Sequence, residues 1–202
     1  MSRPSIKSSA ALTTAAIAAV TLLLTTSANA QVNVAVFSGY NDNGSDITFS
    51  GPVSSFTSPD IAFATNTGYN WHPFSLGTFG AEMTGCLSFP TDGVYTLNLG
   101  SDDGSYLFLN GSSTAFINNG GGHGPNLVSN SAFFAGGAPV PFRLVFFEDF
   151  GGPSGVDLLV NGSLAPASVF VCDTIVPEPG EWAFAAVAGT SLLGLIARRR
   201  KY

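Results

Sequence analysis

The chain has 202 residues, of which 10% are charged and 45% hydrophobic, with 24 Gly, 12 Pro and 17 Phe. Soluble domains average about 25% charged residues, so this composition excludes a charged disordered chain, a coiled coil and a nucleic-acid binder. It favours a turn-rich β protein joined to apolar segments.

Arg3 and Lys7 precede an apolar run from Ala15 to Leu24, and Ala28-Asn29-Ala30 supplies a small-x-small site. A basic start, a short apolar run and such a site make a secretory signal peptide over residues 1–30, with Gln31 as the mature start. The run is short for a span of about 20 residues, which disfavours a retained anchor.

Residues 31–175 form the one expected folded domain. It carries eleven carboxylates against the single base Arg143, a net charge of −10. Such a field repels nucleic acid and anionic surfaces and attracts cations, although solubility alone also accounts for it. Cys86 and Cys172 are the only cysteines, and two in an exported domain suggest one disulfide.

The periodicity is all-β. Val32–Phe37, Ile47–Phe49 and Ile61–Phe63 are candidate strands between polar turns. After the turn Thr91-Asp92-Gly93, Val94–Leu99 alternates with Tyr95, Leu97 and Leu99 on one face. Tyr106–Leu109 runs into Asn110-Gly111, a hairpin signal. Thr114–Ile117 is short and apolar, and Asn118–Gly124 is a Gly-rich loop. Phe142–Phe147 is almost continuously apolar, the pattern of a central strand buried on both faces. Val156–Val160 alternates around Asp157, and Leu164–Val171 is the last expected strand. No helix is expected between the two ends.

The chemistry-bearing residues lie in an ordered series. Gly93-Val94-Tyr95-Thr96-Leu97 leads to Ser101-Asp102-Asp103-Gly104-Ser105, then to Leu107-Phe108-Leu109-Asn110-Gly111. Asn119-Gly120, His123-Gly124, Ala135-Gly136, Phe146-Phe147-Glu148 and Gly151-Gly152 follow. This series resembles the PA14 domain family, most clearly over residues 85–165, with a weaker match at Val36-Phe37-Ser38-Gly39. The resemblance implies an antiparallel β-barrel or β-sandwich. Fold alone does not decide function.

Some adhesins of that family hold calcium on two adjacent aspartates joined by a cis peptide and bind glycans through the ion. The resemblance places Asp102 and Asp103 in that role. Calcium takes 6–8 oxygens, and successive side chains of an extended strand point to opposite faces, so a cis bond would turn both carboxylates to one side. Glu148 falls where those adhesins place a side-chain amide, and the Phe150 and Gly152 carbonyls fall where they place backbone ligands. The Gly151-Gly152-Pro153 stretch lacks the aromatic that adhesins set beside the sugar. Asn119 and His123 are further ligand-contacting candidates, His123 reading mainly as a loop-ordering hydrogen bonder. The alternative for Asp102-Asp103-Gly104 is ordinary turn chemistry, with glycine at positive φ.

Asp42, Asn43, Ser45 and Asp46 read as a polar turn rather than a second cation site, and His72 beside Trp71 as the border of a buried aromatic. The adjacent Glu148 and Asp149 are poorly placed as a glycosidase pair, and no nucleophile elbow, phosphate loop or zinc spacing occurs. The expected function is calcium-dependent carbohydrate binding, without catalysis. A structural matrix component with no small ligand is the alternative, and a hydrolase the third reading.

At the C-terminal end, Val176-Pro177-Glu178-Pro179 precedes an apolar segment, Trp182–Ala197, and a basic cluster of Arg198, Arg199, Arg200 and Lys201. A proline-rich motif, one membrane helix (182–197) and an Arg-rich cytoplasmic end make a tripartite signal. Residues 176–202 resemble the PEP-CTERM sorting signal. That resemblance implies a Gram-negative bacterium that makes exopolysaccharide, processing by an exosortase, and transit through the membrane to the cell surface or matrix. A plain C-terminal anchor with a Pro-rich stalk is the alternative.

Overall fold

Val32, Val34 and Val36 are fully buried while their neighbours are not, so the first strand has one face in a core from its outset. The computed structural model describes residues 31–172. The predicted signal peptide (1–30), the Val176-Pro177-Glu178-Pro179 motif, the 182–197 segment and Arg198, Arg199 and Arg200 lie outside the described residues.

The elements are β1 (Val32–Asp42), β2 (Ile47–Ser58), α1 (Phe63–Thr67), β3 (Phe79–Leu87), β4 (Gly93–Asp102), β5 (Ser105–Leu109), β6 (Ile117–Asn119), β7 (Asn126–Phe134), β8 (Val140–Glu148), β9 (Gly155–Val160) and β10 (Ser163–Leu164). They form a six-stranded sheet, β2-β1-β3-β8-β5-β6, and a four-stranded sheet, β10-β9-β4-β7. Every pairing between named strands is antiparallel. No strand is shared between the sheets, so the all-β expectation resolves to a sandwich rather than a barrel.

The core lies between the sheets. Val34, Phe79, Met83, Leu107, Leu144 and Phe146 from the larger sheet meet Leu97, Leu99, Val156 and Leu158 from the smaller one. The apolar run in β8 is buried on both faces, as expected. Val145 and Phe147 point away from the main core into a second cluster with Ile47, Tyr106 and Phe108. Beyond a bulge at Val36/Phe37, the ends of β1 and β2 bring Tyr40 and Phe49 over this outer face.

Several expectations change. Phe63 opens a short helix rather than closing a strand, because the Asp157 carboxylate accepts hydrogen bonds from the Ala64 and Thr65 N–H groups at 2.9 and 3.2 Å. Of the last expected strand, Leu164–Val171, only Leu164 pairs, together with Ser163 before it, and a 3-10 turn follows at Ala167–Val169 after Pro166. Asn118 and Asn119, expected in a loop, belong to β6.

Cys86 and Cys172 form the expected disulfide, with Cα atoms 4.9 Å apart. The Gln31 N–H donates to the Phe170 carbonyl at 3.2 Å. The chain therefore enters and leaves at the end of the sandwich where Leu87 of β3 pairs with Val140 of β8. Phe79 and Glu148 pair at the opposite end.

Candidate functional site

The Asp-Asp-Gly turn is where the chain passes from one sheet to the other. Asp102 still pairs with Gly155 in the smaller sheet, and Ser105 already pairs with Phe146 in the larger one. The Asp102–Asp103 peptide is cis. Gly104 is not in the left-handed region, contrary to ordinary turn chemistry. It is glycine because a Cβ would collide with the Phe147 ring and stand 2.8 Å from the Gly121 carbonyl.

The turn brings Asp102 and Asp103 beside Glu148, the last residue of β8. Each of the three offers a carboxylate oxygen, and these oxygens lie within 4.8 Å of one another. All three side chains are buried, with relative exposures of 6%, 4% and 1%. Asp103 accepts the backbone N–H of His123 at 2.8 Å through one oxygen and that of Asp149 at 2.9 Å through the other. Glu148 Oε1 accepts the Phe150 and Gly152 N–H groups, both at 3.2 Å. Glu148 Oε2 is buried and has no partner. A buried acceptor left unpaired costs on the order of 1–3 kcal/mol, and more when it is charged.

No Lys or Arg side chain offsets this charge among the described residues. Arg143 is the one Lys or Arg among the described residues. It is committed elsewhere on β8, bridging Asp46 and Glu82 with its guanidinium 4.4 Å from the Phe108 ring centroid. Burial raises the Asp102 carboxyl above its ordinary range, the Asp103 charge raises it further, and His123 partly offsets both. Burial and then the Asp103 charge raise Glu148 likewise, against the loop N–H groups that lower it. An unpaired, dehydrated carboxylate cluster of this composition fits a hard divalent cation such as calcium, which takes carboxylate and carbonyl oxygens.

The triad forms one wall of a pocket of about 380 Å³, lined also by Gly122, His123, Pro125, Phe150, Gly152 and Pro153. Phe150, expected only as a backbone ligand, has an 81% exposed side chain in this wall. It is an aromatic directly before the Gly151-Gly152-Pro153 stretch, which itself carries none. A neighbouring cavity of about 510 Å³, lined by Tyr40, Asp42, Thr78 and Asp149, meets the pocket at Gly122.

The remaining candidates hold the framework. Asn119 is buried with its amide on Ser101 Oγ at 2.9 Å and its carbonyl oxygen on Asn126 at 2.7 Å, and it does not line the pocket. His123 lines the pocket but bridges the carbonyls of Gly124 and Asn119 at 2.8 and 3.0 Å. His72 joins the Leu76 and Gly152 carbonyls, both at 3.1 Å. The Gly152 carbonyl, expected as a backbone metal ligand, thus has one partner in His72 and keeps a second lone pair. Trp71 is buried and stacks on Phe63. Asp42 accepts bonds from Gly44, Tyr106 and Gly121, and Asp46 pairs with Arg143, which makes that region a satisfied turn.

A sandwich with an acidic turn crossing between its sheets defines a class of domain. The PA14 domain family matches residues 37–163, and the chain belongs to that family. The fold is similar to the PA14 domain of the MpAFP antifreeze protein, with a TM-score of 0.54 and 12% identity over 74% of this chain and 94% of that one. It is similar also to a PA14 sugar-binding domain from an RTX adhesin, with a TM-score of 0.50 and 14% identity over 70% and 97% of the two chains. An anti-sigma factor domain-containing protein from Clostridium clariflavum gives a TM-score of 0.53 and 19% identity over 69% of this chain. The chain spans 47% of that protein's length. No curated protein matches the sequence.

Proposed function

We propose that this chain is an exported, non-catalytic binding module that recognises carbohydrate through calcium held by Asp102, Asp103 and Glu148. The observation that carries the reading is the buried carboxylate triad with an unpartnered Glu148 oxygen opening on a pocket. Bound calcium would supply coordination positions to vicinal hydroxyls of a sugar. The chain's own part is to fix the carboxylates by backbone hydrogen bonds, to shape the pocket, and to offer the Phe150 ring as an apolar platform. The Phe150 and Gly152 carbonyls are the backbone ligands in this reading. The similar domain whose description is sugar-binding, from an RTX adhesin, lends support. The three carboxylates converge on one point instead of facing each other across a scissile bond, which speaks against hydrolysis.

The pocket lies at the end of the sandwich opposite the Gln31–Phe170 contact and the disulfide. A domain tethered through its C-terminal segment would present the site outward. That arrangement suits export by the 1–30 signal, exosortase processing at the 176–202 signal, and attachment to exopolysaccharide at the surface of a Gram-negative cell. Retention of the purified full chain on immobilised extracellular polysaccharide, in calcium and then in chelator, tests the reading. Elution by chelator supports it. Equal retention in both, or none in either, contradicts it.

The second reading is a structural matrix component with no small ligand. It draws on Asp103, whose two oxygens already serve two backbone N–H groups as a structural turn would require.

A further inference from the structure

We propose that β7 is a self-association edge, through which two copies of this chain pair antiparallel into one continuous eight-stranded sheet about a two-fold axis at Asn130.

Open sheet edges invite pairing unless they are short, bulged, charged or interrupted by proline. The other three edges are protected. β2 contains Pro52 and faces the β1 bulge, β6 has three residues, and β10 has two. β7 has nine residues, Asn126–Phe134, with no charge, no proline and an unbroken register on β4. In a domain with eleven carboxylates and one base, a strand with no charged side chain lets two copies approach without direct repulsion along it.

Its outward groups are self-complementary. The Thr96 N–H and C=O both bond Asn161, on the far side of β4. Its partner Ser131 therefore turns its backbone groups to the open edge, where its N–H is held only by the side chain of Asn130 at 2.8 Å. By the two-residue period, Leu127, Ser129 and Phe133 turn outward too. A two-fold axis at residue 130 sets Ser129 opposite Ser131 and Leu127 opposite Phe133. Leu127 and Phe133 are 55% and 65% exposed, and Val94, 70% exposed, is the β4 neighbour of Phe133. The pairing thus covers, on each copy, apolar side chains that one copy leaves in water. One strand edge buries less than the roughly 800 Å² per partner of a standard interface, so the association is weak and concentration-dependent.

Antiparallel pairing points the two pockets in opposite directions, because Asn126 lies at the pocket end of β7 and Phe134 at the other. The pair is then a bivalent bridge between glycan surfaces. That consequence rests on the glycan reading. The pairing does not, and the following experiment reads the pairing alone.

Sedimentation of the full chain, from about 1 µM to about 1 mM, reads the association. A rise from monomer to dimer is expected, weakened at least tenfold by Ser131→Pro. That change removes an N–H that β4 does not use, and edge strands accept proline there. Ser129→Lys, which leaves the backbone free, is expected to act alike through charge repulsion. Asn130→Cys faces its own copy across a non-hydrogen-bonded pair, about 4.5 Å between Cα atoms and within disulfide range. It should cross-link on mild oxidation, with the native cysteines already paired. A monomer at every concentration overturns the proposal. So does association unchanged by both Ser131→Pro and Ser129→Lys, or a dimer that Asn130→Cys does not cross-link.

Discussion

The Asp103 carboxylate accepts a 2.9 Å hydrogen bond from the backbone N–H of Asp149. This bond fastens the turn after β4 to the end of β8, residues 46 positions apart. It brings Asp102, Asp103 and Glu148 together with no Lys or Arg beside them among the described residues, and the site's chemistry follows from that imbalance.

The pH dependence has a definite sign. Asp102 and Glu148 are raised from ordinary values of 3.8 and 4.5, chiefly by burial and then by the Asp103 charge. A carboxyl raised in the folded state binds its proton more tightly there. Its contribution to stability is complete below the unfolded value and is lost as pH rises through the folded one. In chelator, wild type should lose stability relative to Asp102→Asn as pH climbs above that range. In excess calcium the trend reverses, because calcium binds the ionised form. Urea unfolding across the pH series checks both, and a flat difference in chelator would count against a dehydrated, unpaired triad.

Glu148 separates charge from hydrogen bonding. Glu148→Gln keeps an acceptor for the Phe150 and Gly152 N–H groups and removes the unpartnered charged oxygen. It should equal or exceed wild-type stability in chelator and lose the calcium response. Glu148→Ala strands both N–H groups and should cost about 1–3 kcal/mol in either condition. Chemical denaturation of the two variants distinguishes them.

Phe150→Ala should leave the melting temperature unchanged, since the ring is 81% exposed. If the ring stacks on a sugar, its loss should weaken polysaccharide retention by on the order of 1 kcal/mol, or about fivefold. Unchanged retention would remove the ring from the binding surface.

The Cys86–Cys172 bridge closes a loop of 86 residues. By chain-entropy arguments, the double serine variant should be less stable by about 4 kcal/mol. It should retain the calcium response, because the bridge lies at the opposite end of the sandwich from Glu148.

The sequence reading succeeded where side chains declare burial. The apolar β8 run and the alternation of Leu97 and Leu99 marked the central strands, and the all-β class followed. It failed on β7 and most of β2, whose exposed Ser, Thr and Asn give no hydrophobic period. It missed α1 because the cap is Asp157, 93 residues from Ala64. At the site, motif resemblance named Asp102, Asp103 and Glu148, and the structure brings all three together. The unpartnered Glu148 oxygen, the Phe150 side chain in the wall and the engagement of Gly152 by His72 depend on loop geometry, which no spacing encodes.

Thermal unfolding of the purified protein in about 10 mM calcium and in excess chelator tests the central claim most directly. A site with a dissociation constant near 0.1 mM should add about 2.7 kcal/mol, a rise of several degrees for a domain of this size. The rise should vanish in the Asp102→Asn, Asp103→Asn double variant. Equal melting curves in calcium and chelator for the wild type would contradict the account and leave the acidic turn a structural crossing between the sheets.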